Sequence, residues 1–258
     1  MERSNGYIVG FAAAICLVCA IFVSSSAVGL RDRQIANKML DRQSKVLSVA
    51  GLLKKGADAA TIEKAFLDNI SAEVIDLATG ASASGADAAT FDQRKRTKDP
   101  ETSSAAPEAA KKAGIKRLPN RALVYKVLKG ERLETLVLPI TGKGLWSTLY
   151  GFIALERDGN TVKGLTFYEH LETPGLGGEV DNPIWKALWP GKKAFADGRW
   201  DQPVIEVVKG QAKAGDPHKV DGLSGATITS RGVSDLVKFW LGPEGFGPYL
   251  ATLRAKGG

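Results

Sequence analysis

A turn of small and hydroxyl-bearing residues stands just ahead of a segment with helical periodicity near the C-terminus. Residues 221–230 read DGLSGATITS. Backbone N–H groups at the start of a helix have no partner within the helix, and the helix dipole favours an anion there. Gly225 and Ala226 would let a phosphate approach the backbone, and Thr227 would place a hydroxyl beside it. The same residue types also cap helices and form turns, so capping alone is the simpler interpretation of this pattern.

A second glycine-rich segment lies about 50 residues earlier in the chain. Residues 169–179 read EHLETPGLGGE, in which Pro-Gly is a turn signal and the Gly-Gly pair allows close approach to the backbone. A plain hairpin loop is the alternative. Trp146 lies in a short turn between two predicted strands and offers a flat apolar surface, although packing in the core would also account for it.

Several common kinds of site find no support in the sequence. There is no GxGxxG after a strand, no GxxxxGK[ST], no GxSxG and no HExxH. Two cysteines and two histidines do not suffice for a disulfide framework or a cysteine- or histidine-built metal centre, so we expect no metal site. The net charge of +7 is dispersed along the chain without interleaved aromatics, which argues against nucleic-acid binding.

The N-terminus predicts a transmembrane anchor over residues 1–30. No charge occurs between Ser4 and Leu30, and the 22 residues from Tyr7 to Val28 are almost all apolar. As a helix they would span about 33 Å, which is enough for a hydrocarbon core of about 30 Å. A cleaved signal peptide is the alternative, but its apolar region is usually only about 7–15 residues long.

Two features of this anchor leave alternatives open. Cys16 and Cys19 lie on one face of the predicted helix, either as half of a membrane iron–sulfur site or, as we favour, as two small apolar side chains. Five cations, at positions 31, 33, 38, 42 and 45, follow the anchor. The positive-inside rule applied to them alone would leave the large domain in the cytoplasm.

Residues 31–258 predict one α+β domain with a mostly antiparallel sheet and flanking helices. Composition changes over residues 79–116, which are rich in Ala, Ser, Gly, Pro and charge, and we expect a long flexible surface insertion there with at most one weak helix. The remaining predicted elements are helices at 31–53, 61–69, 183–189, 230–241 and 247–256, and strands at 73–77, 122–128, 135–140, 152–157, 162–170 and 204–210.

The turn at 221–227 resembles the flavinylation motif of the FMN-binding domain family, Asp-x-x-Ser/Thr-Gly-Ala-Thr/Ser. In that family the last Thr or Ser is esterified to the FMN phosphate by a separate flavin transferase, which takes FMN from FAD with a divalent metal. The resemblance therefore implies covalent FMN on Thr227, with Thr229 and Ser230 left to cap the helix. The motif residues in this chain are Asp221, Ser224, Gly225, Ala226 and Thr227.

Two further stretches, GKGLWSTLYGFIAL and YEHLETPGLGGEVDNPIW, resemble the C subunit of the sodium-translocating NADH:quinone reductase. The G subunit of the Rnf electron-transport complex shares ETPGLG and the flavin motif, but LWSTLYG favours the former. The resemblance covers residues 1–75 loosely and 120–258 closely. It leaves 79–116 as a lineage insertion without essential chemistry.

This resemblance implies a membrane-anchored electron carrier, one subunit of a redox-driven sodium pump working between NADH and ubiquinone. It would cross the bacterial inner membrane once, with its main domain in the periplasm, and would have other subunits as partners and no NADH site of its own. Leu145, Trp146 and Leu176 would form an apolar slot for the flavin ring, with Glu172 and Thr173 bonding the ribityl chain or the polar ring edge. A carboxylate beside the ring would lower its potential. The alternatives are the Rnf G subunit and a non-redox anchored binding module.

Overall fold

The computed structural model describes residues 4–53 and 56–255 and divides into two compact units, residues 1–42 and 43–258. In chain order the helices are α1 (Asn5–Gly29), α2 (Arg31–Val49), α3 (Ala59–Asn69), α4 (Gln93–Lys98), α5 (Glu108–Lys112), α6 (Pro183–Lys186), α7 (Thr227–Leu241) and α8 (Gly247–Ala255). The strands are β1 (Ile70–Asp76), β2 (Ser103–Ala105), β3 (Arg117–Pro119), β4 (Arg121–Lys129), β5 (Arg132–Lys143), β6 (Thr148–Glu156), β7 (Val162–Glu169), β8 (Glu206–Val207) and β9 (Lys219–Val220).

The first unit is dominated by α1, a helix of 25 residues without a buried side chain. Its most apolar 18-residue window has a mean hydropathy of 2.5, so length and composition suit a membrane span. Ser4 caps the helix by accepting a hydrogen bond from the Tyr7 amide. Cys16 and Cys19 are exposed, free thiols on this helix. The predicted N-terminal apolar helix is confirmed, and residues 1–3 of the predicted anchor lie outside the described residues.

The second unit is built on an antiparallel sheet of five strands in the order β1-β4-β5-β6-β7. Alternation along β5 sends Leu136, Leu138 and Ile140 into a core beneath α7, while Val137 faces a second core on the opposite side of the sheet. Because both faces are covered, the strands read as nearly continuous apolar runs in the sequence. The predicted α+β class and mostly antiparallel sheet are confirmed.

The strand predicted at 204–210 is much shorter in the structure. Only β8 pairs, and it pairs in parallel with β9, so that Glu206 is opposite Lys219. The Val207 amide donates to the Ser234 side chain of α7 at 2.7 Å. This amide points away from β9, so the bond to α7 takes the place of pairing with a further strand on that edge of β8.

Residues 79–116 are packed onto the domain, contrary to the expected surface loop. They contain α4, β2 and α5, and Phe91 is only 7% exposed. Ala110 and Ala113 are fully buried. Composition had suggested a loop because large apolar residues are few, but alanines fill narrow spaces under neighbouring elements at little entropic cost.

Arg94 provides a further tie between this segment and the sheet. Its guanidinium carbon lies 3.4 Å from the Tyr150 ring centroid, and its Nη1 donates to Glu169 Oε2 at 2.9 Å. On α4 as well, the Gln93 side-chain oxygen accepts a hydrogen bond from the Leu123 amide at 3.0 Å. This cation stacked on an aromatic face adds to the buried Phe91 in holding the segment against the sheet.

Replacing Phe91 by alanine measures how firmly residues 79–116 are packed. A buried phenylalanine lost to alanine should lower the free energy of unfolding by about 3–5 kcal/mol. The matched control is Leu67→Ala, because Leu67 is 78% exposed; it should cost less than about 0.5 kcal/mol. Urea unfolding of the full-length protein in detergent gives both values. Equal, small costs for the two variants would mean that the segment is a surface loop after all.

Candidate functional site

The motif turn leads directly into α7, whose first residue is the exposed Thr227. The sequence predicted a helix start at Ser230, so α7 begins three residues early and the expected capping by Thr229 and Ser230 is wrong. Both side chains are buried within the first turn of the helix. Thr229 Oγ1 donates to Glu172 Oε2 at 2.7 Å, and Ser230 Oγ accepts from the Leu223 amide at 3.0 Å. The capping residue is Ala226, which has no side-chain acceptor for the first N–H groups.

Local backbone constraints explain the small residues of this turn. Gly225 has φ +70°, a conformation that side chains with a Cβ rarely adopt, and a Cβ there would lie 2.9 Å from Leu176 Cδ2. Asp221 anchors the start of the turn, since its carboxylate accepts from the Ala212 amide and its carbonyl from Trp185 Nε1, each at 2.8 Å. Ser224, which lies between Asp221 and Gly225 in the chain, is exposed.

The side chain of Glu172 lies at the centre of the site and is only 5% exposed. It accepts four hydrogen bonds that arrive from two other parts of the chain. Three come from the turn between β5 and β6, and the fourth comes from α7. The donors are Leu145 N at 3.2 Å, Trp146 N at 3.0 Å, Ser147 N at 3.1 Å and Thr229 Oγ1 at 2.7 Å.

These donors keep Glu172 ionised. Burial alone would raise the pKa of its carboxyl, but the hydrogen bonds from Thr229 and from the three amides together hold the pKa below its ordinary value of 4.5. Its stabilising contribution is therefore present above pH 4.5 and is lost as the pH falls through the lowered pKa. Both oxygens are engaged within the protein, so the expectation that Glu172 bonds the ribityl chain or ring edge finds no support in its position.

Two glycines make room for this carboxylate. A Cβ on Gly144 would lie 2.5 Å from Glu172 Oε1, and a Cβ on Gly177 would lie 2.6 Å from Oε2. Thr173, the next residue along, has an exposed side chain. Its carbonyl closes the loop by accepting from the amides of Leu176 at 3.1 Å and Gly178 at 2.9 Å. Thr173 therefore stays a candidate for polar contact with a ligand, whereas Glu172 belongs to the frame of the site.

The three predicted slot residues are exposed apolar side chains around this frame. Trp146 is 66% exposed, so the interpretation of Trp146 as a core residue is wrong. Leu145 and Trp146 are joined through Glu172 to Thr229, and Leu176 lies against Gly225, so the turn, the loop and the start of α7 form one site. Ile228, which was not predicted from the sequence, is also exposed and stands beside Thr227.

A groove of about 330 Å³ that the sequence did not predict has Thr227 in its lining. The lining also includes Arg231, one turn after Thr227 on α7, and Lys209. The charged lining suits a phosphate better than an apolar ring. The other charged residues in the lining are Glu206, Asp235 and Lys238.

His170 holds the loop that carries Glu172 through two hydrogen bonds of its ring. Its Nδ1 accepts from the Glu172 amide at 3.2 Å, so Nε2 carries the proton and donates to Asp181 at 2.8 Å. Thr229, Ser147 and His170 were not predicted from the sequence as parts of the frame. The sequence offered one signal for the role of Thr229. It follows Thr227 by two residues, so on a helix its side chain points about 200° away from that of Thr227, towards the protein when Thr227 is exposed.

Comparison with known proteins decides the family. Residues 144–242, which include both glycine-rich segments, match the FMN-binding domain family. A relative from Vibrio vulnificus, the C subunit of its Na(+)-translocating NADH-quinone reductase, is 49% identical over 257 residues, covering 100% of this chain and 97% of the relative. This chain belongs to the same family of C subunits. The corresponding protein from Pseudomonas aeruginosa is 47% identical over 94% of each chain.

Solved structures agree with this family. The crystal structure of Shewanella oneidensis NqrC is 41% identical and has a TM-score of 0.78, covering 85% of this chain and 99% of that one. The structure of the C subunit from Parabacteroides distasonis, at 26% identity, has a TM-score of 0.65 and covers 86% of this chain. The resemblance noted in the sequence is thus confirmed, and the Rnf G subunit is not favoured. Alignment with the Vibrio vulnificus relative over the whole chain does not support a lineage insertion at 79–116.

The exposure of Trp146 predicts the cost of removing it. Trp146→Ala should lower the free energy of unfolding by no more than about 0.5 kcal/mol, because the indole contacts little of the core. Thermal or urea unfolding of the full-length protein in detergent measures this. A loss of about 3–5 kcal/mol would instead mean that the ring is packed as a core side chain.

Proposed function

We propose that this chain is a membrane-anchored electron-carrier subunit of a sodium-translocating NADH:quinone reductase, with FMN held as a phosphoester on Thr227. The observation that carries the proposal is the exposed Thr227 at the start of α7, within the family's flavinylation motif, on a turn that Glu172 and Thr229 tie to the turn bearing the exposed Leu145 and Trp146. Bound FMN would supply the ability to accept and pass on electrons.

The residues around Thr227 fit a phosphate. Ala226 leaves the first N–H groups of α7 without a side-chain acceptor, and the helix dipole favours an anion at this end. Gly225 removes the side chain that would crowd the turn. Arg231 lines the adjoining groove one turn later, where its charge offsets that of a phosphodiester.

Attachment requires a second protein, because a threonine hydroxyl is a weak nucleophile and no general base is bonded to Thr227 among the described residues. In the proposed transfer, Thr227 Oγ forms a bond to the FMN phosphorus while the pyrophosphate bond of FAD breaks and AMP leaves. The hydroxyl proton passes to a base of the flavin transferase. This chain contributes only an accessible hydroxyl on a rigid turn, which is what the exposure of Thr227 provides.

The ring would lie against Leu145, Trp146 and Leu176, which are 41%, 66% and 44% exposed. Covering these side chains removes apolar surface from water, and Thr173 could bond a polar edge of the ring. Attachment and ring packing are then separate tasks, so Trp146→Ala should keep the ester and alter the visible spectrum of the flavin.

The proposed role of this chain is electron transfer, and we expect NADH to bind elsewhere in the complex. No dinucleotide fingerprint occurs in the sequence, so other subunits of the complex would deliver electrons to this chain and remove them. Visible absorption distinguishes this proposal from the alternative of a non-redox anchored binding module. A purified protein of that kind would show no flavin absorption near 450 nm, a band typical of flavins in general.

We propose that this chain is a bacterial inner-membrane protein and that its domain after α1 lies in the periplasm. Five cations follow α1, but large domains translocate largely regardless of flanking charge. A C-terminal alkaline phosphatase fusion, active only outside the cytoplasm, should be active. Activity confined to a cytoplasm-specific fusion would contradict this orientation.

Substitution of Thr227 tests the attachment site. Thr227→Ala should abolish covalent flavin while changing the free energy of unfolding by less than about 0.5 kcal/mol, because the side chain is exposed. Thr227→Ser keeps the reacting oxygen and should retain part of the flavin. Flavin fluorescence of the denatured chain in a gel, after co-expression with the transferase, measures the adduct.

The matched control is Thr90→Ala, which removes another exposed threonine and should leave the flavin in place. Undiminished in-gel fluorescence in a folded Thr227→Ala protein would refute the attachment at Thr227.

A further inference from the structure

We propose that Glu172 is the positioning residue of this site, and that its carboxylate sets the separation between the ring-binding turn at Leu145–Trp146 and the flavin-bearing end of α7. This inference rests on the proposed function, because it concerns the geometry in which a flavin on Thr227 meets its slot. It gives Glu172 no contact with the flavin.

The carboxylate joins three segments that are distant in the sequence: the turn at 145–147, its own loop, and the first turn of α7 through Thr229. Oε1 accepts from the Trp146 and Ser147 amides, and Oε2 from the Leu145 amide and Thr229. A single group therefore determines where the turn lies relative to Thr227, two residues from Thr229.

The backbone fits closely around the Glu172 carboxylate. Gly144 and Gly177 both stand where a Cβ would come within 2.6 Å of a carboxylate oxygen. The backbone of the turn and the backbone of the loop thus approach the carboxylate from two sides. A group held this closely transmits its position to both segments.

Few other hydrogen bonds among the described residues fix the turn at 145–147. The Gly144 amide donates to the Ser147 carbonyl at 2.8 Å, and Ser147 Oγ accepts from the Leu171 amide at 2.7 Å. By contrast, α7 has independent anchors, such as Trp240 Nε1 donating to the Thr141 carbonyl at 2.7 Å. Loss of the Glu172 charge should therefore release the turn and leave α7 in place.

The four hydrogen bonds require Glu172 in its charged, carboxylate form. A carboxylate offers two oxygens, each of which accepts two bonds here. In Glu172→Gln one oxygen becomes an NH₂ group, which would face N–H or O–H donors instead of accepting from them. Whichever oxygen is replaced, at least one of the three backbone amides then loses its acceptor, because an amide N–H, unlike the Thr229 hydroxyl, cannot accept from the new NH₂ group.

The experiment compares the full-length protein, co-expressed with the flavin transferase, with its Glu172→Gln variant. Hydrogen–deuterium exchange should be at least about 10-fold faster for the amides of 145–147 in the variant, with unchanged exchange in the core of α7. Peptide mass spectrometry should still find FMN on Thr227, while the visible circular dichroism and midpoint potential of the flavin should shift. A purely structural role would not move these flavin signals in folded protein.

Three variants complete the test. Thr229→Val should reproduce part of both effects, and Thr229→Ser, which keeps the hydroxyl, should restore the parent behaviour. These two variants carry the test if Glu172→Gln fails to fold. The matched control is Glu73→Gln on β1. It neutralises another hydrogen-bonded carboxylate, whose partners are Lys126 and Tyr249, and should leave the flavin signals unchanged.

The outcomes separate this inference from the proposed function. Parent protein without FMN on Thr227 would overturn the proposed function and with it the positioning role. Parent protein with FMN, but with the same amide exchange and flavin signals in Glu172→Gln, or in Thr229→Val if the former does not fold, would overturn the role of Glu172 alone.

Discussion

The buried carboxylate of Glu172 is the interaction on which the candidate site depends. A buried charge is tolerated only when hydrogen bonds replace its hydration, and here three amides and one hydroxyl do so. Because the donors come from separate segments, satisfying the charge also assembles the site. The turn carrying Trp146, the loop carrying Leu176 and the start of α7 are brought together by one electrostatic requirement.

The sheet supplies the rigid frame that this requirement needs. The β5–β6 hairpin presents the Trp146 turn at one end of the sheet, and α7 packs across β5 with Trp240 bonded to the Thr141 carbonyl. Side chains that could touch a ligand stay exposed, whereas Glu172 and Thr229, which hold the frame, are buried. Two threonines two residues apart on α7 therefore have different roles. Thr227 is exposed and is the proposed attachment residue, whereas Thr229 is buried and donates its hydroxyl to Glu172.

Sequence patterns predicted the apolar N-terminal helix and the four strands of 121–169, because long apolar runs bounded by turn residues have few alternatives. They failed where small or polar residues are buried by particular partners. Ala110 and Ala113 fill the core without a recognisable apolar pattern, and Arg94 stacks on Tyr150. The start of α7 was misplaced because Thr229 and Ser230 resemble caps, and only the fold shows that Glu172 and the Leu223 amide are their partners.

One tryptic peptide contains the proposed attachment site. Cleavage after Lys219 and Arg231 releases residues 220–231, which contain four hydroxyls, at Ser224, Thr227, Thr229 and Ser230. Tandem mass spectrometry of this peptide, from protein made together with the flavin transferase, assigns any adduct to one of them. We predict an addition equal to FMN less one water, located on Thr227. An unmodified peptide, or an adduct on any of the other three hydroxyls, would contradict attachment at Thr227 and the function proposed from it.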